Sequence, residues 1–358
     1  MGNLLQMKIL GFGIIGAGLV APMHIEAIEN TEGARLAAIS DAIEERAAKI
    51  GSEKGVAWYA DYRRMLENPD VDVVCICTPS GLRGQIAIDA AAAGKHVISE
   101  KPLELTPEKA DVVIKACDDA GVKLAVIMQM RFLDDPQALK KDVEDGRLGR
   151  LILGDAYTKW HRPQSYYDNS QWRGTWALDG GGALINQGIH HVDMLQWIMG
   201  PVESLCAHTG TIIRDIEVED TAVACLKFAS GAMGVIEAST SCWPGMPGKL
   251  EIRGENGLWV IEDGRTKLRS IRDEEDRGSD APGIGSGAND PTGITSLGHQ
   301  RQIADMVAAV NEDRPPMVDG REGRKAIEII CAIYKSAQTG APVVLNQLAG
   351  VPDSDCLR

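Results

Sequence analysis

The stretch Lys8-Ile-Leu-Gly-Phe-Gly-Ile-Ile15-Gly16-Ala-Gly18-Leu-Val-Ala21, with the helix formers of His24 to Glu29 behind it, decides the fold. Lys8 to Ile15 reads as a short strand with apolar side chains on both faces, and such a strand belongs inside a covered parallel sheet. Gly16 permits a tight turn, Gly18 lets a ligand approach the backbone, and Ala21 keeps the following helix close to the sheet. Ile9 to Val20 also resembles a secretory leader, being apolar for twelve residues after a lysine. It is too short to span a bilayer, and Gly13, Gly16 and Gly18 interrupt it, so strand and turn is the expected reading.

The same alternation continues outward. Arg35 to Ser40 is the next strand, ending at Asp41, and Ala42 to Ile50 the next helix. Val71 to Cys77 is a strand stopped by Thr78-Pro79-Ser80, followed by a helix over Gln85 to Ala93. His96 to Ser99 runs into Glu100-Lys101-Pro102, then come a helix over Pro107 to Ala120 and a strand over Lys123 to Met128. Strands separated by helices need crossovers, so residues 1–131 are expected to form a doubly wound α/β domain on a mostly parallel sheet. Past Arg131 the period changes. Leu151 to His161, Val202 to Arg214, Thr221 to Phe228, Ala232 to Thr240, Lys249 to Gly254 and Leu258 to Glu262 read as strands, the last five with no helix between them. Residues 132–346 are therefore expected to form an α+β domain on an open, mostly antiparallel sheet. Arg269 to Leu297 reads as a long loop, His299 to Val310 and Glu322 to Thr339 as helices, and 347–358 as a tail.

With 358 residues, the chain suits two such domains. Its 37 basic against 51 acidic residues give a net charge of -14, the opposite of what a general nucleic-acid binder needs. No membrane segment is expected. The eight cysteines, Cys356 included, form no CxxC pair and read as reduced core residues of a cytoplasmic protein. Cys75 and Cys77 share one face of a strand, and with no nearby His or Cys to complete four ligands no metal site is expected.

Two groups of residues carry chemistry. The first is the glycine turn with Asp41, 23 residues after Gly18 at the end of the second strand. A helix N-terminus offers N–H groups to a pyrophosphate, and a carboxylate at that distance accepts hydrogen bonds from an adenosine ribose. Asp41 would repel a 2'-phosphate, and Ala42 and Ile43 supply no cation to relieve that, so NAD is expected over NADP. The second group is Asp179-Gly-Gly-Gly-Ala-Leu-Ile-Asn186-Gln-Gly-Ile-His190-His191-Val-Asp193. On a regular helix Asn186, His190 and Asp193 fall within about 60° of one another. His190 can exchange a proton near neutral pH, Asp193 could orient its ring, and His191 points elsewhere and reads as structural. Lys101 leaves a strand end of the doubly wound sheet, where a nicotinamide would rest. Partial burial beside that positive ring would depress its pKa and make it a usable proton acceptor.

Together these residues resemble the Gfo/Idh/MocA oxidoreductases. The resemblance runs from about Lys8 to Leu345 through the glycine turn, Thr78-Pro79, Gly94-Lys-His-Val-Ile-Ser-Glu100-Lys101-Pro102, the Gly180-Gly-Gly182 helix and Ser336-Ala-Gln-Thr-Gly-Ala-Pro-Val. It implies a Rossmann domain, a second α+β domain whose open sheet makes homodimer or homotetramer contacts, and hydride transfer between a nicotinamide and a sugar or cyclitol carbinol. It assigns catalysis to Lys101 and His190, and it adds Thr78, Pro79, Ser80 and Glu100 to the cofactor contacts. Two departures stand out. The family commonly has Asp where this chain has Asn186, and an amide cannot take a proton, so removal would rest on His190, Lys101 or both, with Asn186 positioning a hydroxyl. The common Thr-Pro-Asn-x-x-His is here Thr78-Pro79-Ser80-Gly-Leu-Arg83.

Arg162, Tyr166, Trp172 and Arg173, with Asn186-Gln187-Gly188, look similar to the branch containing UDP-sugar-acid 3-dehydrogenases and free-sugar or glycoside dehydrogenases. Aromatic faces and guanidinium forks suit pyranose rings and their anionic groups, although core packing explains the tryptophans equally well. Gln129 and Asp193 are counted with these substrate contacts. The expected activity is NAD-dependent oxidation of a pyranose secondary alcohol, with the 3-position as the expected carbon, or the reverse. A cyclitol dehydrogenase, an enzyme that retains and recycles its cofactor, and a catalytically silent NAD sensor are the alternatives.

Overall fold

The computed structural model describes residues 8–283, 285, 287–290, 293 and 295–345. The expected tail, with Cys356, lies outside the described residues. The chain forms two compact units: residues up to 104 with 109–129 and 296–323, and residues 105–108 with 130–295 and those from 324 on.

In the first unit β1 (Leu10–Ile15), α1 (Ala21–Glu29), β2 (Ala34–Ser40), α2 (Glu44–Lys54), β3 (Ala57–Tyr59), α3 (Tyr62–Leu66), β4 (Val73–Ile76), α4 (Arg83–Ala92), β5 (His96–Ser99), α5 (Pro107–Asp119) and β6 (Leu124–Val126) follow one another. The strands form one sheet in the order β3-β2-β1-β4-β5-β6, and every pairing in it is parallel. All six residues of β1 are buried, as an apolar run between two helical layers requires. The strand order reverses between β1 and β4, and this switch point is where a doubly wound sheet opens a crevice at its carboxyl ends. The glycine turn after β1 and Thr78-Pro79-Ser80 after β4 both stand there.

The second unit carries α6 (Asp134–Glu144), β7 (Leu151–Lys159), α7 (Gln164–Asp168), a wide π-type turn (Ala183–Gly188), α8 (Ile189–Met199), β8 (Val202–Gly210), β9 (Thr221–Phe228), β10 (Met233–Ser239), β11 (Lys249–Gly254), β12 (Gly257–Glu262) and β13 (Arg265–Ile271). After α9 (Leu297–Asn311) and α10 (Gly320–Thr339), β14 (Val343–Val344) closes an eight-stranded sheet of order β13-β12-β11-β7-β10-β9-β8-β14. The sheet is mixed, since β10 runs parallel to β7 and antiparallel to β9. Buried and open residues alternate along β9, which marks a sheet covered on one face.

Three expectations change. Residues 296–323, assigned by the sequence reading to the second domain, belong to the first unit, because Ile303, Met306 and Val307 of α9 join Ile25, Ile28 and Ile39 in its core. The stretch expected as a loop from Arg269 begins inside β13, whose buried Arg269 is neutralised by Asp142 at 2.7 Å. Cys206 and Cys225 are exposed rather than core residues: they face each other across β8 and β9 on the outward side of the sheet. The seven described cysteines are free, and burial pushes the Cys75 and Cys77 thiols far up, which suits inert core residues. Among the described residues no helix is long and apolar enough to cross a membrane.

Candidate functional site

The residues expected to contact the cofactor lie in the first unit. Gly16 has φ +101, and a Cβ there would sit 2.8 Å from the Cys77 carbonyl carbon, so neither its conformation nor its contact with the end of β4 tolerates a side chain. At Gly18 a Cβ would meet nothing within 4 Å, so the backbone beside the start of α1 borders open space. Asp41 is drawn to this turn: its Oδ2 accepts the Ala17 N–H at 2.7 Å and its Oδ1 accepts the Ile43 N–H at 2.8 Å. A carboxylate oxygen has two lone pairs, so each keeps one for a ribose hydroxyl. The turn, the helix start and the acid therefore fit a dinucleotide in the form expected for NAD.

Lys101 is fixed by its backbone. Its N–H donates to Glu100 Oε2 at 3.2 Å, its carbonyl accepts from the Arg83 guanidinium, and its peptide bond to Pro102 is cis. Arg83 is buried and also donates to the Thr78 carbonyl at 2.9 Å, Ser80 Oγ at 3.3 Å and the Pro102 carbonyl at 3.0 Å. It thus ties the Thr78-Pro79-Ser80 turn to the Glu-Lys-Pro strand end. No sequence pattern marks Arg83 as a clamp, because its partners are mostly main-chain carbonyls.

Glu100, expected at the cofactor, turns its carboxylate inward. His24 of α1 donates Nε2–H to Oε1 at 2.8 Å, and His299 of α9 places Nε2 3.5 Å from the same oxygen. Burial opposes the charge on Glu100, but these two imidazoles outweigh it and hold its carboxyl well below the usual range. Burial, ahead of the Glu100 contact, lowers the His24 pKa, so His24 is a neutral donor to an ionised acid. The three ligand atoms lie within 4.8 Å of one another, a spacing a metal would also accept, and the 2.8 Å contact is a charge-assisted hydrogen bond as it stands. Gln129, expected near substrate, is buried in the first unit with its side-chain oxygen unpaired.

The helix expected to carry catalysis lies in the second unit. His190 and Asp193 lie on α8, whereas Asn186 lies in the wide turn before it, so the three do not share one stripe of a uniform helix. The cause is Glu219, which the sequence reading missed: its carboxylate takes the N–H groups of Gly182 and Leu184, each at 2.9 Å, and the Tyr334 hydroxyl at 3.0 Å. A Cβ on Gly182 would lie 1.9 Å from the Glu219 carbonyl oxygen, so only glycine allows this approach. Burial pushes the Glu219 carboxyl up to about 7, against those three donors.

His190 is buried. Asp193, expected to orient its ring, engages Arg131 through both oxygens at 2.6 and 2.8 Å. Asn186 donates Nδ2–H to Asp179 Oδ1 at 2.8 Å. His191 is structural, as expected: Nδ1 meets Thr158 Oγ1 at 3.0 Å, and burial lowers its pKa to about 4.

Of the expected sugar contacts, Tyr166 accepts from Gln187 at 3.3 Å, which joins it to the Asn186 turn. Arg173 stacks 4.2 Å over Tyr166 and 5.4 Å over Trp172. Arg162 departs from its expected role as an anion fork. It is buried, and its two terminal amino groups donate to the carbonyls of His161, Gly287 and Ala288, at 2.9, 2.7 and 3.2 Å.

Family models match both parts of the chain: "Oxidoreductase family, NAD-binding Rossmann fold" over residues 10–128 and "GFO/IDH/MocA C-terminal domain" over residues 137–260. Myo-inositol 2-dehydrogenase of Thermotoga maritima is 30% identical over 346 residues, 94% of this chain and 99% of that protein. The WlbA dehydrogenase of Bordetella pertussis, solved with NADH and UDP-GlcNAcA, superposes with a TM-score of 0.84 at 35% identity over 94% of this chain and 98% of that one. Its counterpart from Chromobacterium violaceum, solved with the same two ligands, gives 0.83 at 32% identity over 98% of each chain.

Proposed function

Because the chain belongs to the Gfo/Idh/MocA family of NAD-binding oxidoreductases, we propose that it oxidises a secondary alcohol of a pyranose, at the 3-position, or reduces the matching ketone. The observation that carries this reading is the double backbone clamp on Lys101 by Glu100 and Arg83, at a strand end beside the cofactor crevice. A surface lysine needs no such anchoring, and a silent NAD sensor needs no Lys101 at all.

Bound NAD would supply the acceptor for the hydride of the carbinol carbon. Gly16, Gly18 and Asp41 would hold its pyrophosphate and adenosine ribose. Lys101 and His190 share the hydroxyl proton, and Asn186 accepts a hydrogen bond from the hydroxyl without taking the proton. Tyr166, Trp172 and Arg173 offer aromatic faces and a cation to the sugar and its anionic substituent. The two WlbA structures support a nucleotide-linked sugar acid as substrate, while the inositol relative supports a cyclitol. Cytoplasmic location and homodimer or homotetramer assembly belong to the same proposal, the latter supported by exposed Ile152, Val223 and Met233 on the second sheet.

The test is NADH formation at 340 nm with NAD and, separately, UDP-GlcNAcA and myo-inositol, in wild type and Lys101→Ala. Turnover of one compound that disappears in the variant, with NADH binding kept, is expected. Equal turnover in the two proteins would sink the assignment of Lys101.

A further inference from the structure

We propose that Asp179 is a positioning residue whose buried carboxylate fixes the amide of Asn186, so that the amide oxygen is the end offered to a substrate hydroxyl. This rests on the dehydrogenase reading above and adds to it the origin of the acceptor. A side-chain amide has one accepting and one donating end, and its neighbours decide which way each points. An ionised carboxylate only accepts. The Asn186 end lying 2.8 Å from Asp179 Oδ1 is therefore the amide nitrogen, and the oxygen is turned away.

Asp179 is well placed to impose this. It is 1% exposed, its Oδ2 accepts the Gly174 N–H at 3.0 Å, and its own N–H is held by the Thr175 carbonyl at 3.1 Å. Gly180 donates to that same carbonyl at 3.1 Å, so the anchor closes the turn immediately before the glycine run. Flipping the amide would set its oxygen against an oxygen of the buried Asp179 carboxylate. Leaving such a buried pair unmatched costs about 1–3 kcal/mol, or roughly 5- to 150-fold in the balance of the two orientations.

The chemical consequence concerns the substrate hydroxyl. An oxygen held by a negative charge on the far side of the amide is a better acceptor, because hydrogen-bonded chains polarise one another. Asn186 then fixes the rotation of the hydroxyl while the proton passes to Lys101 or His190. A carboxylate at position 186 would supply this charge directly. Here a second carboxylate, seven residues earlier in the chain, supplies it from behind.

The test compares wild type, D179N, N186D and the exchange variant D179N/N186D with NAD and UDP-GlcNAcA. D179N is expected to lower kcat about 10- to 100-fold, as loss of a charge-assisted hydrogen bond does, with the KM for NAD unchanged. The exchange variant restores an amide–carboxylate pair with its ends reversed. It should regain much of that loss, and the acid limb of its kcat profile should be displaced from that of wild type, because the carboxylate that titrates then stands at position 186 rather than 179. A role in folding alone would restore the melting temperature without displacing the limb. D179N with wild-type kcat, or an exchange variant with no recovery and an undisplaced limb, overturns the proposal. If D179N fails to fold, D179E reads the same effect by displacing the charge one methylene. If wild type turns over neither UDP-GlcNAcA nor myo-inositol, the substrate reading fails separately. Asn186 side-chain amide signals in a selectively 15N-labelled protein then decide: one proton shifted and protected in wild type but not in D179N supports the anchor, and identical signals overturn it.

Discussion

The guanidinium of Arg83 holds the carbonyl oxygen of Lys101 after β5, and with it the Thr78 carbonyl after the neighbouring strand β4. A buried cation at the first residue of α4 runs against the helix dipole, so the four oxygens around it must offset that cost. Arg83→Met keeps the volume and removes every donor. We expect kcat to fall about 10- to 100-fold, because displacement of a reacting group by 1 Å has effects of that size. Affinity for NADH, read by fluorescence titration, should change little. Unchanged kcat in this variant would show that Lys101 is held without the clamp.

Asp41 presents a second expectation, in cofactor choice. Its two oxygens are pinned by Ala17 and Ile43 N–H groups, so the carboxylate cannot swing aside for a 2'-phosphate. Wild type should prefer NAD strongly. Asp41→Ser with Ala42→Arg removes the repulsion and adds a cation, and should raise kcat/KM for NADP while lowering it for NAD about 10-fold or more, from loss of hydrogen bonds to a charged group. A variant that keeps the original preference would place cofactor selection elsewhere.

The sequence made some of these features legible and hid others for physical reasons. β1 could be read because a strand buried on both faces must be apolar throughout, and the Gly16 turn because only glycine fits its conformation. β13 escaped notice because Arg-Thr-Lys-Leu-Arg-Ser-Ile carries little apolar signal, and its buried Arg269 is neutralised by Asp142, which is remote in sequence. β3 is only three residues long, too short for a period to show. In the site, Lys101 and His190 carry motif signals of their own. Helix spacing points Asp193 to the His190 ring, whereas its partner Arg131 lies 62 residues earlier and no local pattern reveals it. Glu219 was invisible for the same reason, and it also set the wide turn that spoiled the helical spacing of Asn186.

The Arg131–Asp193 pair is buried, with side chains 2% and 1% exposed. Removing one partner leaves an uncompensated charge, so Asp193→Leu or Arg131→Met should each lose about 3–5 kcal/mol of stability in urea titration. Replacing both together, as Arg131→Met with Asp193→Leu, removes the desolvation cost of the pair. The double variant should be more stable than either single one, a departure from additivity expected for residues in contact. Simple addition of the two losses would mean that the pair is not energetically coupled.

Glu219 gives stability a pH dependence near neutrality. Its carboxyl is pushed up to about 7 by burial, against an ordinary value of 4.5 in the unfolded chain. The folded state therefore binds the proton more tightly than the unfolded one. Below about pH 4.5 both states are protonated and the folded state carries no penalty from this group. As pH rises from there the unfolded chain loses its proton first, and stability falls until the folded group also titrates near 7. The full loss is about 3 kcal/mol, from a shift of that size at about 1.4 kcal/mol per unit. Glu219→Gln cannot titrate, so its unfolding free energy between pH 5 and 8 should slope less steeply downward than that of wild type. The wide turn before α8 hangs on the same carboxylate through Gly182 and Leu184, so the variant should also alter the environment of His190. Parallel pH profiles for the two proteins would mean that the three donors keep Glu219 ionised throughout, and that burial does not govern it.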